Sequence, residues 1–291
     1  MGRLVALVIA GTVTGSIYSL VAVGLVIIYR ATNVLNFAHG FLVALAAFLT
    51  LEIAQHAAIA VALAAIPAIL IVVVLGLAIE RFIVRPISGE RPLTIVVATL
   101  GVSLILEGII TRQWGAATEA FPPLISGTAF QLSGVFVSWN QVLVVSVSLC
   151  LILLLGLFFQ VSNLGLSMRA TSENKTVARL LGINPNLVSA TSWGLAACVG
   201  GIAAIFAAPQ VSLAPDAFNT LMIQGFVAVV LAGFTSVSGA IVGGYLSGIG
   251  LNVFAGYVTS QAPETFLFVL LLLVLMVRPN GLFGKAQHVH L

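Results

Sequence analysis

Two long stretches of this chain, 120–168 and 217–263, contain no Asp, Glu, Lys, Arg or His. A soluble domain keeps roughly 25% of its residues charged, because its surface must be solvated by water. Here only 7% are charged and 60% are hydrophobic. Such a chain uses the bilayer as its solvent, and any function it has is exercised within a membrane.

A hydrocarbon core of about 30 Å is crossed by about 20 apolar residues in a helix, which satisfies its own backbone hydrogen bonds. The apolar runs are continuous, without the alternation of a membrane barrel. Spans fall near 4–29, 38–55, 57–80, 93–111, 140–160, 188–208 and 264–278, with two shorter ones inside 220–258. The expected fold is an all-α, polytopic inner-membrane bundle of eight or nine transmembrane helices, with 1–291 as one transmembrane domain. Arg3 gives the first span a basic leader, but the apolar run is too long for a secretory signal core of about 7–15 residues. Cys150 and Cys198 lie within spans, far apart in sequence. They read as buried filler with no metal spacing.

The basic residues cluster: Arg81, Arg85 and Arg91; then Arg169, Lys175 and Arg179; then Arg278 and Lys285. Placing all three clusters in the cytoplasm obeys the positive-inside rule and puts the C-terminus there too. With nine spans the N-terminus is external, Arg30 is internal, and only Arg3 and Arg112 fall outside. The isoelectric point near 9.2 is thus a signature of topology and calls for no nucleic acid. The longest external loop, about 112–139, carries Trp114, Pro122, Pro123 and Trp139, which suits an interfacial aromatic belt. Glycines spaced by four, Gly11–Gly15, Gly239–Gly243 and Gly244–Gly248, give smooth helix faces, for packing within one bundle or against another subunit.

Polarity concentrates in the cytoplasmic loop at about 161–187. Within 165–184 a short helix is expected, capped by Ser172 with Glu173 in its first turn. Arg179 lies near its last turn and Gly182 at a left-handed stop. Val177, Leu180 and Leu181 make an apolar stripe. Such a helix either lies on lipid headgroups or docks into a groove on a partner.

Four segments in order carry a resemblance that covers nearly the whole chain. They are Asn36-Phe-Ala-His-Gly40, the 165–184 loop with Met168-Arg169-Ala170 and Ala178-Arg179-Leu-Leu-Gly182, Ser236-Val-Ser-Gly-Ala-Ile-Val-Gly-Gly244, and Arg278-Pro-Asn-Gly-Leu-Phe-Gly284. Together they resemble the permease subunits of bacterial ABC importers in the branched-chain amino acid branch, in the shorter, H-type version. Two departures stand out. Asn280 replaces a more familiar glutamine or basic residue, and Ser172-Glu-Asn-Lys175 replaces a more acidic stretch.

The resemblance implies a coupling loop, with Arg169, Glu173, Ala178, Arg179 and Gly182 meeting a partner ATPase. It further implies a second permease subunit, a copy or a different chain, two cytoplasmic ATPase subunits, and a periplasmic or lipid-anchored substrate-binding protein. Substrate would be a branched-chain or related amino acid, passed by alternating access at the interface of the permeases. A urea or short-chain amide importer is the near alternative. No Gly-x-x-x-x-Gly-Lys-[Ser/Thr] phosphate loop is present, so no cofactor is expected on this chain and ATP is used by the partners.

Candidate path-lining residues are the polar groups at breaks between spans: Asn33, Asn36, His39 and Gly40, and Ser236, Ser238 and Gly239. Broken helices expose free carbonyls and helix ends to a small zwitterion. The alternative is that both breaks are plain cytoplasmic turns, with Gly40 allowing a sharp bend. His39, His56, His288 and His290 are too scattered to hold a metal, and His39 reads as a hydrogen-bonded turn histidine. Glu80 beside Arg81 reads as interfacial, and Glu107 lies near Arg112 at a helix end. No His-Glu-x-x-His or Gly-x-Ser-Gly occurs, and Asp216 is the sole aspartate, so an intramembrane enzyme is not expected. A self-sufficient secondary transporter would carry ionisable groups at mid-span and matching broken helices. Neither pattern is evident.

Overall fold

The computed structural model describes residues 2–115, 117–132, 134–234, 236–278 and 281–283. Pro279, Asn280, Gly284, Lys285, His288 and His290 lie outside the described residues. The chain runs α1 (Gly2–Thr32), α2 (His39–Ala57), α3 (Val61–Ile79) with a π turn at Glu80–Val84, and α4 (Pro92–Trp114). A hairpin of β1 (Thr128–Leu132) and β2 (Val135–Ser138) precedes α5 (Trp139–Val161), α6 (Asn163–Glu173) and α7 (Lys175–Leu180). Then come α8 (Pro185–Val211), α9 (Pro215–Ala232), α10 (Val237–Tyr257) and α11 (Glu264–Val277).

Among the described residues, seven helices are long and apolar enough to cross a membrane. The 220–258 stretch divides into α9 and α10, as expected. With 18 and 14 residues, α9 and α11 are the short members. At 1.5 Å per residue α11 falls short of a full hydrocarbon core. The hairpin is a small non-helical addition to a polytopic helical bundle.

Helices α1, α2 and α8 form the centre, and their middle turns are almost wholly buried. Helices α3, α4 and α5 wrap it and turn large apolar side chains outward, among them Leu70, Val74, Leu104, Ile105, Leu153 and Leu157. That outward apolar surface belongs against lipid tails. Cys150 is exposed on this face rather than buried, because α5 packs by a narrow stripe (Val144, Ser148, Leu155, Phe159) that Cys150 does not share.

The spaced glycines pack inside the bundle. A Cβ on Gly11 would lie 2.6 Å from Ile249 Cα, and one on Gly15 would lie 2.9 Å from Tyr245 Cα. Gly244 faces Ser19, Gly248 faces Gly15, and Gly243 abuts the Ala228 carbonyl. Backbones this close gain van der Waals contact that larger side chains would forfeit. Polar rungs lock the same seam: Ser16 Oγ to Tyr245 Oη at 3.0 Å, and Ser19 Oγ donating to the Ile241 carbonyl at 2.9 Å.

The basic clusters meet at one end. Arg85 donates to the Asn186 carbonyl at 3.3 Å, Arg30 and Arg169 line one small cavity, and Arg85 and Lys175 line another. The segment after α11 returns to this end, where Leu282 N donates to the Leu231 carbonyl and Phe283 N to the Ala232 carbonyl, each at 2.8 Å. At the opposite end Arg3 bonds the Gly256 carbonyl and lies over the Tyr257 ring, 5.4 Å from its centroid.

Candidate functional site

Both sequence-identified breaks lie at the basic end. The first is a turn between α1 and α2, where Asn33 takes φ +58° and its N–H donates to the Tyr29 carbonyl at 2.7 Å. Asparagine tolerates this left-handed region because its short polar side chain bonds locally. Gly40 was expected to supply the bend, but it lies inside α2 and serves close approach instead. A Cβ there would lie 2.8 Å from Met222 Sδ of α9.

Asn36 is buried, and its Oδ1 accepts from Ala38 N at 3.0 Å, which starts α2. His39 opens α2 and is fully buried. Its ring fits where two other helices have no side chain. A Cβ on Gly24 of α1 or on Gly200 of α8 would lie 2.9 Å from Nε2. Neither ring nitrogen has a hydrogen-bond partner among the described residues, so His39 is a helix residue packed between glycines and not the hydrogen-bonded turn histidine expected; Asn36 Nδ2 has no partner there either. The break therefore buries two polar side chains, and His39 sits at the junction of α1, α2 and α8.

The second break is a cap. Ser236 precedes α10, its Oγ accepts from Gly239 N at 2.9 Å, and it pairs with Ser238 Oγ at 3.2 Å. Gly239 admits Phe283, whose Cβ would be 3.1 Å from a Cβ at that position. Tyr29 stacks obliquely on Phe234 with centroids 4.9 Å apart, so the two breaks adjoin.

The loop between α5 and α8 folds as two helices. Ser172 is no cap: it sits in the last turn of α6, donating to the Arg169 carbonyl at 2.7 Å, and Glu173 ends that helix. The caps are Ser162, whose Oγ accepts from Gly165 N at 2.9 Å, and Asn174, whose Oδ1 accepts from Thr176 N and Val177 N at 3.0 Å each. Asn174 takes an extended backbone that α6 cannot continue through, and its side chain starts α7.

Gly182 ends α7 as expected, at φ +83°. Gly182 N donates to the Arg179 carbonyl at 3.1 Å and Ile183 N to the Ala178 carbonyl at 3.0 Å. This crossed pair is a Schellman stop. Ala178 is buried against the bundle, whereas Leu180 is 83% and Leu181 74% exposed. Arg169 reaches back to the Gln160 carbonyl at 3.5 Å.

Two residues escaped the sequence reading. Arg85, not Arg81, pairs with Glu80, with Nη2 to Oε2 at 2.7 Å and Nε to Oε1 at 3.2 Å. Glu80 is buried at the end of α3. The π turn makes this possible by bringing residues five apart into register, as the Arg85 N to Glu80 carbonyl bond of 2.7 Å shows. Thr99 of α4 accepts from Phe37 N at 3.4 Å, tying the first break to the outer helices.

Residues 7–277 match the family described as branched-chain amino acid transport system / permease component. The high-affinity branched-chain amino acid transport system permease protein BraD of Pseudomonas aeruginosa is 30% identical, over 95% of this chain and 94% of that protein. The permease protein LivH of Escherichia coli (strain K12), from the system of the same name, is 27% identical over 95% and 94%. A solved structure of PsaBC from Streptococcus pneumoniae in complex with Fab is 17% identical and superimposes only loosely, with a TM-score of 0.44 over 94% of this chain and 88% of that one. By the extent of the family match and its identity to BraD, the chain belongs to the branched-chain amino acid transport system permease family, as an H-type permease subunit.

Proposed function

We propose that this chain is one half of the translocation pore of an ATP-driven importer for branched-chain or related amino acids. It resides in the bacterial cytoplasmic membrane with the basic end and the C-terminus in the cytoplasm. The relatives' names supply the substrate class, and the positive-inside bias supplies the orientation. Two cytoplasmic ATPases drive the cycle, a substrate-binding protein delivers the amino acid, and a second permease completes the pore. The path opens alternately to either side at the interface between permeases.

The observation that carries this reading is α7. A helix of 6 residues is too short to persist on propensity alone, yet it is capped by Asn174, stopped by Gly182 and seated on Ala178. It presents Val177, Leu180 and Leu181 outward at the basic end, as an amphipathic element presents anchors to a groove. Arg169, Glu173 and Arg179 flank it with charge.

Purification from the native membrane in mild detergent tests the reading. ATPase subunits and a second permease should co-purify, and Leu180→Asp should remove the ATPases without unfolding the chain. A homogeneous chain that transports leucine alone in liposomes would overturn it in favour of a secondary transporter.

A further inference from the structure

A cavity of about 480 Å³ opens at the end of the bundle opposite the basic clusters. Its walls come from the N-terminal half of α1, the loop before α5, the start of α5, the last turn of α8 and the outer part of α10. The loop is strapped in place by a two-way backbone bridge, Glu119 to Leu213 and back, each at 2.9 Å. The volume lies within the about 300–1,000 Å³ of ordinary small-molecule pockets.

The chemistry of the lining is specific. No lining residue is ionisable, yet Thr14, Asn140, Gln141, Gln210 and Asn252 all contribute to it. Three of the four carboxamides are held in fixed orientation by the protein. Asn140 Oδ1 accepts from Leu124 N at 3.1 Å and Gln141 Oε1 accepts from Ser138 N at 3.0 Å, which leaves two N–H donor groups on the α5 wall. Asn252 Nδ2 donates to Thr14 Oγ1 at 3.3 Å and to the Gly248 carbonyl at 2.9 Å, which leaves Oδ1 as an acceptor on the α10 wall. The apolar part of the lining includes Val13 and Phe121, both buried.

We infer that this cavity is the outer vestibule of the translocation path and receives a small α-amino acid as its zwitterion. The carboxylate meets the Asn140 and Gln141 amides at the N-terminal end of α5, where the helix dipole favours negative charge. The ammonium meets Asn252 Oδ1, and an aliphatic side chain covers the apolar strip. Neutral amides suit a transient site, because a full counter-ion would hold the substrate too tightly to pass it on. A second charge on the substrate would find no counter-ion in this lining. This inference rests on the proposed importer reading and adds to it a site, an orientation of the ligand and an order of events.

The test uses cells carrying the intact transport system, with Cys150→Ala and Cys198→Ala as background, and either Gln210→Cys or Asn252→Cys. Gln210 is exposed and its side chain makes no hydrogen bond among the described residues, so its cysteine variant serves if the other fails to assemble. A membrane-impermeant methanethiosulfonate should modify both positions from outside, excess leucine should slow the reaction, and modification should abolish leucine uptake. Asn252→Leu should raise the leucine KM about tenfold, as loss of one charge-assisted hydrogen bond does. Modification that leaves uptake intact, or positions unreactive from outside, would overturn the vestibule while the importer reading stands. Absence of leucine uptake in the background cells would overturn both, and is read before any cysteine is introduced.

Discussion

Glu80 and Arg85 form a bidentate ion pair across a π turn, with the carboxylate 1% exposed and the guanidinium 21% exposed. The asymmetry decides which partner the fold can lose. Arg85→Ala strands a buried carboxylate, and breaking a buried pair this way costs about 3–5 kcal/mol. Glu80→Gln leaves an arginine that still reaches solvent and the Asn186 carbonyl, at about 1 kcal/mol. Thermal midpoints in detergent should therefore fall much further for Arg85→Ala. Equal losses would show that the pair is not the anchor between α3 and α8.

The α1–α10 seam gives a second contrast. A Cβ at Gly248 would collide with the Gly15 backbone, which cannot swing aside as a side chain can. A Cβ at Gly101, on the lipid side of α4, would meet nothing within 4 Å. Gly248→Ala should lose folded protein or drop the midpoint by an overpacking cost of about 1–3 kcal/mol. Gly101→Ala should be neutral or raise it, by helix propensity of up to about 1 kcal/mol. A tolerated Gly248→Ala, judged by monodispersity and midpoint, would contradict the close backbone contact.

Much of this was legible in the sequence, and the reasons for the rest are local. Span positions follow from apolar length alone, and α9 and α10 divide where Gly233 and Ser236 interrupt the run. Gly182 was legible because a left-handed stop favours glycine whatever surrounds it. Ser172 and Asn174 are both competent caps. The choice between them depends on how far α6 extends, and α6 runs from its cap at Ser162 through Ser172 to Glu173. The Glu80–Arg85 pair needs a π turn, which leaves no periodic signature. The outer cavity escaped notice because its walls, from Thr14 to Asn252, come from across the chain and carry no charge to betray them.

Helix α7 is held by its two ends, so weakening either should act on coupling before it acts on stability. Asn174→Ala removes acceptance from two backbone N–H groups, at about 1 kcal/mol. Gly182→Ala strains a residue at φ +83°, at roughly 1 kcal/mol. Neither touches the bundle core. In the reconstituted transport system both variants should lower substrate-stimulated ATP hydrolysis severalfold while the thermal midpoint of the permease stays within a few degrees. Unchanged stimulation in both would show that α7 does not transmit the stroke.

His39 and Gly24 are matched in shape, and a double-mutant cycle reads that match directly. A Cβ on Gly24 would lie 2.9 Å from His39 Nε2 and 3.2 Å from Cε1, with the Ala196 carbonyl oxygen next at 3.4 Å. Gly24→Ala alone should destabilise by about 1–3 kcal/mol, because the buried ring has no room to retreat. With His39→Ala already in place the ring is gone, so the same Gly24→Ala should become neutral or stabilising. The coupling between the two positions should exceed about 1 kcal/mol, as expected for side chains in direct contact. Leucine uptake then separates packing from function. If His39 only fills space, the double variant regains transport along with its midpoint. If the imidazole lines the path, the double variant folds and stays inactive, and His39→Gln in place of alanine should restore part of the uptake.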